Sequence, residues 1–175
     1  AAADALIAAD PRDAKAAYLK VTIAESRRDF AKAAALLEEI LSRPPAGDEE
    51  GAGDRRVFLV HLGFAYQQLE RHADAAKAFA RAKDEGGPPE ANLLSFHAEA
   101  LYLAKQKDEA LVAVRAARER FPDDVDLAGL EATLLRETGD TAAATALVER
   151  MREKAPADPK VLGRVADFYR RAGKF

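Results

Sequence analysis

The three histidines are the residues best suited to acid–base or metal chemistry in this sequence. His61, His72 and His97 are the only histidines, and an imidazole beside a carboxylate can act as a general base or a metal ligand. His97 precedes Glu99 by two residues, a spacing at which two side chains on a helix do not face each other. The histidines also fall on different predicted helices or turns, so we expect no histidine-based site.

Three aspartates, Asp123, Asp124 and Asp126, lie within four positions of one another and could in principle bind a hard cation. Carboxylate oxygens are the ligands that hard cations prefer. Acidic residues at the start of a helix are also stabilised by the helix dipole, without any metal. We therefore interpret these aspartates as residues that cap a helix, and we predict no metal site.

The sequence motifs of common enzyme classes are absent. The chain has no phosphate-binding loop, no His-Glu-x-x-His pair and no serine nucleophile elbow. The stretch Gly51-Ala52-Gly53 is glycine-rich, but its acidic neighbours would repel a phosphate. Because there is no cysteine, thiolate catalysis and cysteine-bound zinc are excluded. We expect no catalytic residue, no cofactor and no enzymatic activity in this chain.

Charge and hydropathy narrow the classes of partner. The 175 residues carry a formal net charge of -3, and charges of both signs are spread along the chain. The arginine pairs at 27–28, 55–56 and 170–171 are widely separated, whereas nucleic-acid binding needs a contiguous basic stripe. No apolar run approaches the roughly 18 residues needed to cross a bilayer. We expect neither a nucleic-acid partner nor membrane insertion, and no feature indicates a cellular compartment.

A pattern of apolar and small residues repeats along the chain and predicts the helices that position the side chains considered above. Its clearest copy consists of Leu59, Leu62, Gly63, Tyr66, Ala75 and Phe79. It recurs thirty-five residues later as Leu94, His97, Ala98, Leu101, Ala110 and Val114, and after a further thirty-four as Ala128, Glu131, Ala132, Leu135, Ala144 and Val148. A weaker copy lies upstream at Ala17, Val21, Ala24, Ala33 and Leu37. Spacings of three and four residues predict helices, and Gly63 would let two helices approach closely.

This pattern resembles the tetratricopeptide repeat (TPR), in which a large apolar residue, Leu-Gly, Tyr, Ala and Phe stand at fixed offsets. The resemblance implies an all-α fold, a TPR-type α-solenoid in which antiparallel helix pairs form a right-handed superhelix. It divides the chain into a half repeat 1–13, full repeats 14–55, 56–90, 91–124 and 125–158, and a half repeat 159–175. Because both ends fall inside repeats, we expect the chain to be a fragment of a longer array.

The first full repeat is about eight residues longer than the others. Residues 46–55 are rich in glycine and acidic residues, a composition typical of flexible loops. We therefore predict an inserted loop over 46–55. Elsewhere, Gly139 predicts the end of a helix, and Asp158-Pro159 predicts the start of one.

The resemblance also implies that the first helix of each pair lines a concave groove. The side chains expected on this face are Tyr18, Thr22, Val57, Val60, Phe64, Gln67, Asn92, Ser95, Glu99 and Tyr102. We expect Phe64 in particular to face the groove rather than the core. One interpretation is a largely apolar groove that accepts a helical or extended peptide. The alternative is that these residues simply pack against neighbouring helices.

The expected function is that of a protein-interaction scaffold that binds a peptide or protein partner in this groove. Two alternatives stay open: a structural module that self-associates through exposed array ends, and a regulatory or recruiting arm of a larger enzyme whose catalytic domain lies outside this chain. A clamp for the C-terminal carboxylate of heat-shock proteins is not expected. TPR proteins of that kind use lysine, arginine and asparagine at groove positions that are held here by residues such as Tyr18, Val60 and Glu99.

Overall fold

Helices account for most of the chain that the structure describes. The structure, a computed structural model, describes the backbone of residues 14–43 and 49–173 and the side chains of residues 18–43 and 55–173. Within these ranges there is no strand, and the all-α prediction is confirmed. The helices are α1 (Ala14–Ser26), α2 (Phe30–Ser42), α3 (Glu49–Gln68), α4 (His72–Asp84), α5 (Ala91–Leu103), α6 (Lys107–Arg120), α7 (Val125–Glu137), α8 (Thr141–Lys154) and α9 (Pro159–Arg171). The half repeat expected at 1–13 lies outside the described residues.

Most helices pack mainly on their neighbours in the chain, and α9 contacts both α7 and α8. The closest packing is between the helices that the repeat pattern pairs, namely α3 with α4, α5 with α6 and α7 with α8. The first helices of successive pairs also touch, as α5 does with α7 and α7 with α9. Packing that is confined to near neighbours is the arrangement of helical repeat proteins. The contacts divide the chain into two compact units, the N-terminal unit 1–89 and the C-terminal unit 90–175.

The turns inside the helix pairs share one backbone conformation. Four residues in these turns have a positive φ, between 58° and 96°: Arg28, Glu70, Lys105 and Gly139. The residue after each of them donates its amide to a carbonyl five positions earlier, as Gln106 does to Leu101 at 2.9 Å. A left-handed residue with this hydrogen bond forms a Schellman-type helix end. The helix end predicted at Gly139 is therefore confirmed.

Aspartates cap the two helices whose starts the sequence predicted. Asp124 Oδ1 accepts hydrogen bonds from the amides of Asp126 and Leu127, at 3.0 and 2.9 Å. Asp158 caps α9 in the same way, and Pro159 is the first residue of that helix. The capping roles of Asp124 and Asp158 are confirmed, and replacement of such a cap by alanine typically costs about 1 kcal/mol.

Helix α3 begins earlier than the sequence predicted. Residues 49–55 belong to this helix, so the loop predicted over 46–55 is wrong for those seven positions. As a result α3 has 20 residues, whereas α5 and α7 have 13 each.

The core of the N-terminal unit depends on close approach of α3 and α4. Phe79 of α4 is fully buried, and a Cβ atom built on Gly63 of α3 would lie only 2.6 Å from its Cζ atom. The glycine is therefore required by the distance between these two helices. This confirms the close approach that the repeat pattern predicted at Gly63.

The basic pair Arg55-Arg56 is engaged with helix ends rather than forming a charged patch. Arg55 donates to the carbonyl oxygen of Arg43 at 3.0 Å, directly after α2. Arg56 donates to the carbonyl oxygens of Gly86 and Pro88, both at 2.9 Å, in the segment after α4. These bonds satisfy carbonyl groups that have no partner within a helix.

A tyrosine–glutamate hydrogen bond occurs in both units at the same position of the repeat. Tyr66 of α3 donates its hydroxyl to Glu38 of α2 at 2.5 Å. Tyr169 of α9 donates to Glu149 of α8, also at 2.5 Å. In each case the first helix of one pair is bonded to the second helix of the preceding pair, so these bonds fix the position of one repeat on the next.

Candidate interaction surface

In the N-terminal unit, the face expected to bind a partner begins with exposed aromatic and aliphatic side chains. Tyr18 of α1 is 39% exposed and Val57 of α3 is 45% exposed. The Tyr18 ring packs against α3, with its centroid 6.3 Å from that of Phe58 and 5.3 Å from that of His61. Tyr18 therefore lies across the contact between the two first helices of this unit.

His61 belongs to this face, although the sequence predicted no site for it. Its Nδ1 atom lies 2.8 Å from Glu25 Oε1, and its Nε2 atom lies 3.4 Å from the Tyr18 hydroxyl. A carboxylate on one ring nitrogen and a phenol on the other fix the orientation of the imidazole. Glu25 and His61 are 36 residues apart, so no local pattern indicates the contact. It follows only from the packing of α1 on α3.

Phe64 contacts the core, so the expectation that it would face the groove rather than the core is wrong. Its ring packs edge-to-face on the fully buried ring of Phe79, with centroids 5.4 Å apart. Val60 and Gln67, on the same helix, are half-buried. Thr22 of α1 is half-buried as well and donates to the Leu19 carbonyl of its own helix at 3.0 Å. This part of the predicted surface is partly used in packing.

In the C-terminal unit, three successive first helices enclose a cleft of about 280 Å³. Of the residues predicted for this unit, Ser95, Glu99 and Tyr102 line the cleft, whereas Asn92 is exposed and does not. The other lining residues are Leu103 of α5, Asp126, Gly129, Leu130, Ala132 and Thr133 of α7, Val148 and Met151 of α8, and Arg164, Asp167, Phe168 and Arg171 of α9. The cleft lies where the first helices of three repeats meet.

The floor of this cleft is apolar. Ala132, Val148 and Phe168 are buried members of the core between α7, α8 and α9. Leu103, the last residue of α5, is 37% exposed at the edge of the cleft. Eight of the fifteen residues that line the cleft are polar or charged, so the apolar floor is surrounded by a polar rim.

Asp126 is the centre of an ion-pair network at the start of α7. Lys160 Nζ lies 2.7 Å from one of its oxygens, and Arg164 Nη2 lies 2.6 Å from the other. Burial alone would raise the pKa of the Asp126 carboxyl, but the hydrogen bonds from Lys160 and Arg164 outweigh burial and lower it. Asp126 therefore stays anionic at neutral pH, and two cations face this single carboxylate.

The remaining charges of the cleft are less fully paired. Asp167 accepts a hydrogen bond from Arg170 at 2.9 Å, which lowers the pKa of the Asp167 carboxyl. The side chains of Glu99 and Arg171 form no ion pair with any residue in the described part of the chain. Structural ion pairing therefore does not account for these two charges.

The aspartates considered as cation ligands are directed to separate partners. Asp124 caps α7, Asp126 pairs with Lys160 and Arg164, and Asp123 lies 3.4 Å from Lys154. Among the side chains described, those of residues 18–43 and 55–173, no three of the metal-binding types converge. In the same ranges, no helix combines the length and the apolar character that a bilayer crossing requires.

Solved structures provide relatives of this fold. The chain is similar to YrrB, described as a TPR protein with an unusual peptide-binding site, with a TM-score of 0.68 and 17% identity, covering 99% of this chain and 85% of YrrB. It is also similar to MamA, with a TM-score of 0.69, 14% identity and coverage of 92% and 83%. For PilF of Pseudomonas aeruginosa the TM-score is 0.62, with 15% identity and coverage of 92% and 69%. No family model and no curated protein matches the sequence. These likenesses show that the chain has the helical-repeat fold of TPR proteins.

Proposed function

We propose that this chain is a non-catalytic interaction scaffold that binds a peptide or protein segment along the first helices of its repeats. The observation that supports this most is the cleft between α5, α7 and α9, with its apolar floor and its incompletely paired charges. Such a cleft can accept apolar side chains of a partner while its polar edge fixes their orientation. One relative of the same fold, YrrB, is described as having a peptide-binding site.

The N-terminal unit supplies a second part of this surface. Tyr18 and Val57 expose apolar area there, and aromatic side chains contribute strongly to binding at interfaces. We regard a nucleic-acid partner as disfavoured, since acidic residues such as Glu99 and Asp167 lie in the cleft itself. Self-association is an alternative that the same experiment can detect.

The test is selection of a phage-displayed random peptide library on the immobilised protein, followed by titration of the enriched peptides by fluorescence anisotropy. Leu103→Asp places a charge at the edge of the cleft and is expected to weaken binding at least tenfold, as for a central apolar contact. Val112→Asp is the matched control, because Val112 is 70% exposed on α6 and does not line the cleft.

Peptides that bind wild type and Val112→Asp alike but lose affinity for Leu103→Asp would support the proposal. Equal affinity for all three proteins would exclude the cleft as the binding site. The self-associating module would instead be favoured if no peptide is enriched and the molar mass measured by light scattering rises with protein concentration.

A further inference from the structure

The two walls of the cleft in the C-terminal unit carry opposite charge. The wall formed by α9 contributes Arg164 and Arg171 to the lining, and Lys160 lies beside Arg164 on the same carboxylate. Asp126 and Asp167 neutralise only part of this positive charge. The wall formed by α5 contributes Glu99, which is exposed and has no cation partner in the described ranges.

The cationic wall is suited to a carboxylate from outside the protein. Arg164 donates hydrogen bonds from Nε and Nη2 to Asp126, at 3.2 and 2.6 Å, and these bonds fix the position of its guanidinium. The guanidinium of Arg171 makes no hydrogen bond with a described side chain, so its donors are available. A guanidinium group matches the geometry of a carboxylate with two parallel hydrogen bonds.

The acidic wall is suited to a cation. Glu99 has only uncharged neighbours from its own helix in the cleft, namely Ser95, Tyr102 and Leu103. A lysine or arginine of a partner would therefore meet no competing cation on α5. Between the two walls, the half-buried Leu130 of α7 offers apolar surface for the intervening side chain.

We propose that this cleft binds a peptide segment in the order basic, apolar, acidic, with the basic side chain at Glu99 and the acidic side chain at Arg171. The inference rests on the proposed function, and it specifies the chemistry of the partner. Charge complementarity supports it, since neither Glu99 nor Arg171 forms an ion pair with a described residue, and Arg171 acts on Asp167 only through its charge, which lowers the pKa of that carboxyl. A cleft of about 280 Å³ also holds only a few side chains. A polyanion such as nucleic acid would be repelled by Glu99 and Asp167.

The experiment uses four sets of short synthetic peptides that share one apolar core. Its two flanks carry lysine and glutamate, two lysines, two glutamates, or two serines. Affinities are measured for the full chain by fluorescence anisotropy, and the mixed set is expected to bind two- to fivefold more tightly than either single-charge set, which is the range for exposed ion pairs. Raising the salt concentration should reduce this preference.

Two variants test which wall of the cleft binds each charged side chain of the peptide. Glu99→Gln should reduce affinity about two- to fivefold for peptides that contain lysine, whereas the affinity of the two-glutamate set should stay the same or rise. Arg171→Gln should instead reduce affinity about two- to fivefold for peptides that contain glutamate. Arg120→Gln is the control, because Arg120 is an exposed arginine at the end of α6 that does not line the cleft.

The outcomes separate this inference from the proposed function. If all four peptide sets bind equally and neither variant changes this, while Leu103→Asp still weakens binding, the charge order is wrong and the scaffold function stands. If a single-stranded DNA probe binds more tightly than the mixed peptides, the charge order is also wrong. If no peptide binds at any concentration that can be reached, both proposals fail.

Discussion

Gly63 and Gly163 are both glycines inside helices, but their surroundings differ completely. A Cβ atom on Gly63 would lie 2.6 and 2.7 Å from two carbon atoms of the Phe79 ring, whereas a Cβ atom on Gly163 would meet no atom within 4 Å. The Phe79 ring is fully buried and packs on Phe64, so it has little room to move. The same substitution therefore tests packing at one site and helix propensity at the other.

Gly63→Ala is expected to lower the free energy of unfolding by about 1–3 kcal/mol, the usual cost of overpacking. Gly163→Ala is expected to raise it by up to about 1 kcal/mol, because alanine is the better helix former and meets no obstacle. Urea denaturation followed by circular dichroism measures both. If Gly63→Ala instead stabilised the protein, α3 and α4 would be able to move apart without a loss of stability.

Tyr66 carries the most strongly perturbed phenol among the described residues. Burial, with a further contribution from the hydrogen bond to Glu38, raises the pKa of Tyr66 from 10.0 to about 12. The folded state therefore favours the neutral phenol. A group with a raised pKa contributes its full stability below the unfolded pKa and loses it as the pH rises to the folded pKa. For Tyr66 this window lies between pH 10.0 and about 12.

Tyr66→Phe should therefore flatten the decrease in stability between pH 10 and pH 12, while it costs about 1 kcal/mol at neutral pH through loss of the hydrogen bond. Denaturation curves at several pH values give the two slopes, and ionisation of lysines contributes equally to both proteins. An unchanged slope in Tyr66→Phe would show that another group controls alkaline unfolding.

At the scale of elements, the turns inside the helix pairs combine the same backbone with different residues. Gly139 is suited to its φ of 96°, but Lys105 has a φ of 67° at the same point of the preceding pair. A residue with a Cβ atom pays about 1–2 kcal/mol for this conformation relative to glycine. Nothing lies within 4 Å of a Cβ built on Gly139, so substitutions there change the backbone preference alone.

Lys105→Gly is accordingly expected to stabilise the protein by about 1 kcal/mol, since the native turn becomes unstrained. The reciprocal variant Gly139→Lys should destabilise it by a similar amount. Thermal unfolding followed by circular dichroism measures both changes. Destabilisation by Lys105→Gly would mean that flexibility of the unfolded chain matters more here than strain in the turn.

Features with a local cause could be predicted from the sequence, and features that arise between distant residues could not. The caps at Asp124 and Asp158 and the helix end at Gly139 were predicted because each depends on one residue type at one position. The left-handed turn at Lys105 was not, since lysine gives no signal for it. The loop prediction was wrong at 49–55, where composition suggested flexibility but the helix continues.

In the candidate site, too, features with a local cause could be predicted from the sequence, and contacts between distant residues could not. Repeat register identified Ser95, Glu99 and Tyr102 as neighbours in one face, and all three line the cleft. The register could not reveal that His61 bonds to Glu25, because this contact requires the actual packing of α1 on α3. Nor could it show that Phe64 reaches the core, since a large ring can contact residues on either side of a helix face.

At the scale of the whole chain, one period runs through all described repeats. The left-handed residues of successive turns are Arg28, Glu70, Lys105, Gly139 and Gly173. Their separations are 35, 34 and 34 residues after Glu70, but 42 residues before it. The tyrosine–glutamate bonds agree, since their partners are 28 residues apart in the N-terminal unit and 20 in the C-terminal unit. Both comparisons assign the extra eight residues to the segment between α2 and Tyr66.

Deletion of residues 46–53 is expected to be tolerated, because it restores this period. It would place Pro45 in the register of Pro122 and Pro156, and it keeps Arg55, which donates to the end of α2. The cost of closing a loop changes slowly with its length, so the free energy of unfolding should change by less than about 1 kcal/mol. Deletion of residues 91–98, also eight residues but inside α5, is the control and should abolish folding of the C-terminal unit. If the 46–53 deletion instead loses cooperative unfolding in circular dichroism, the first turns of α3 stabilise the N-terminal unit directly.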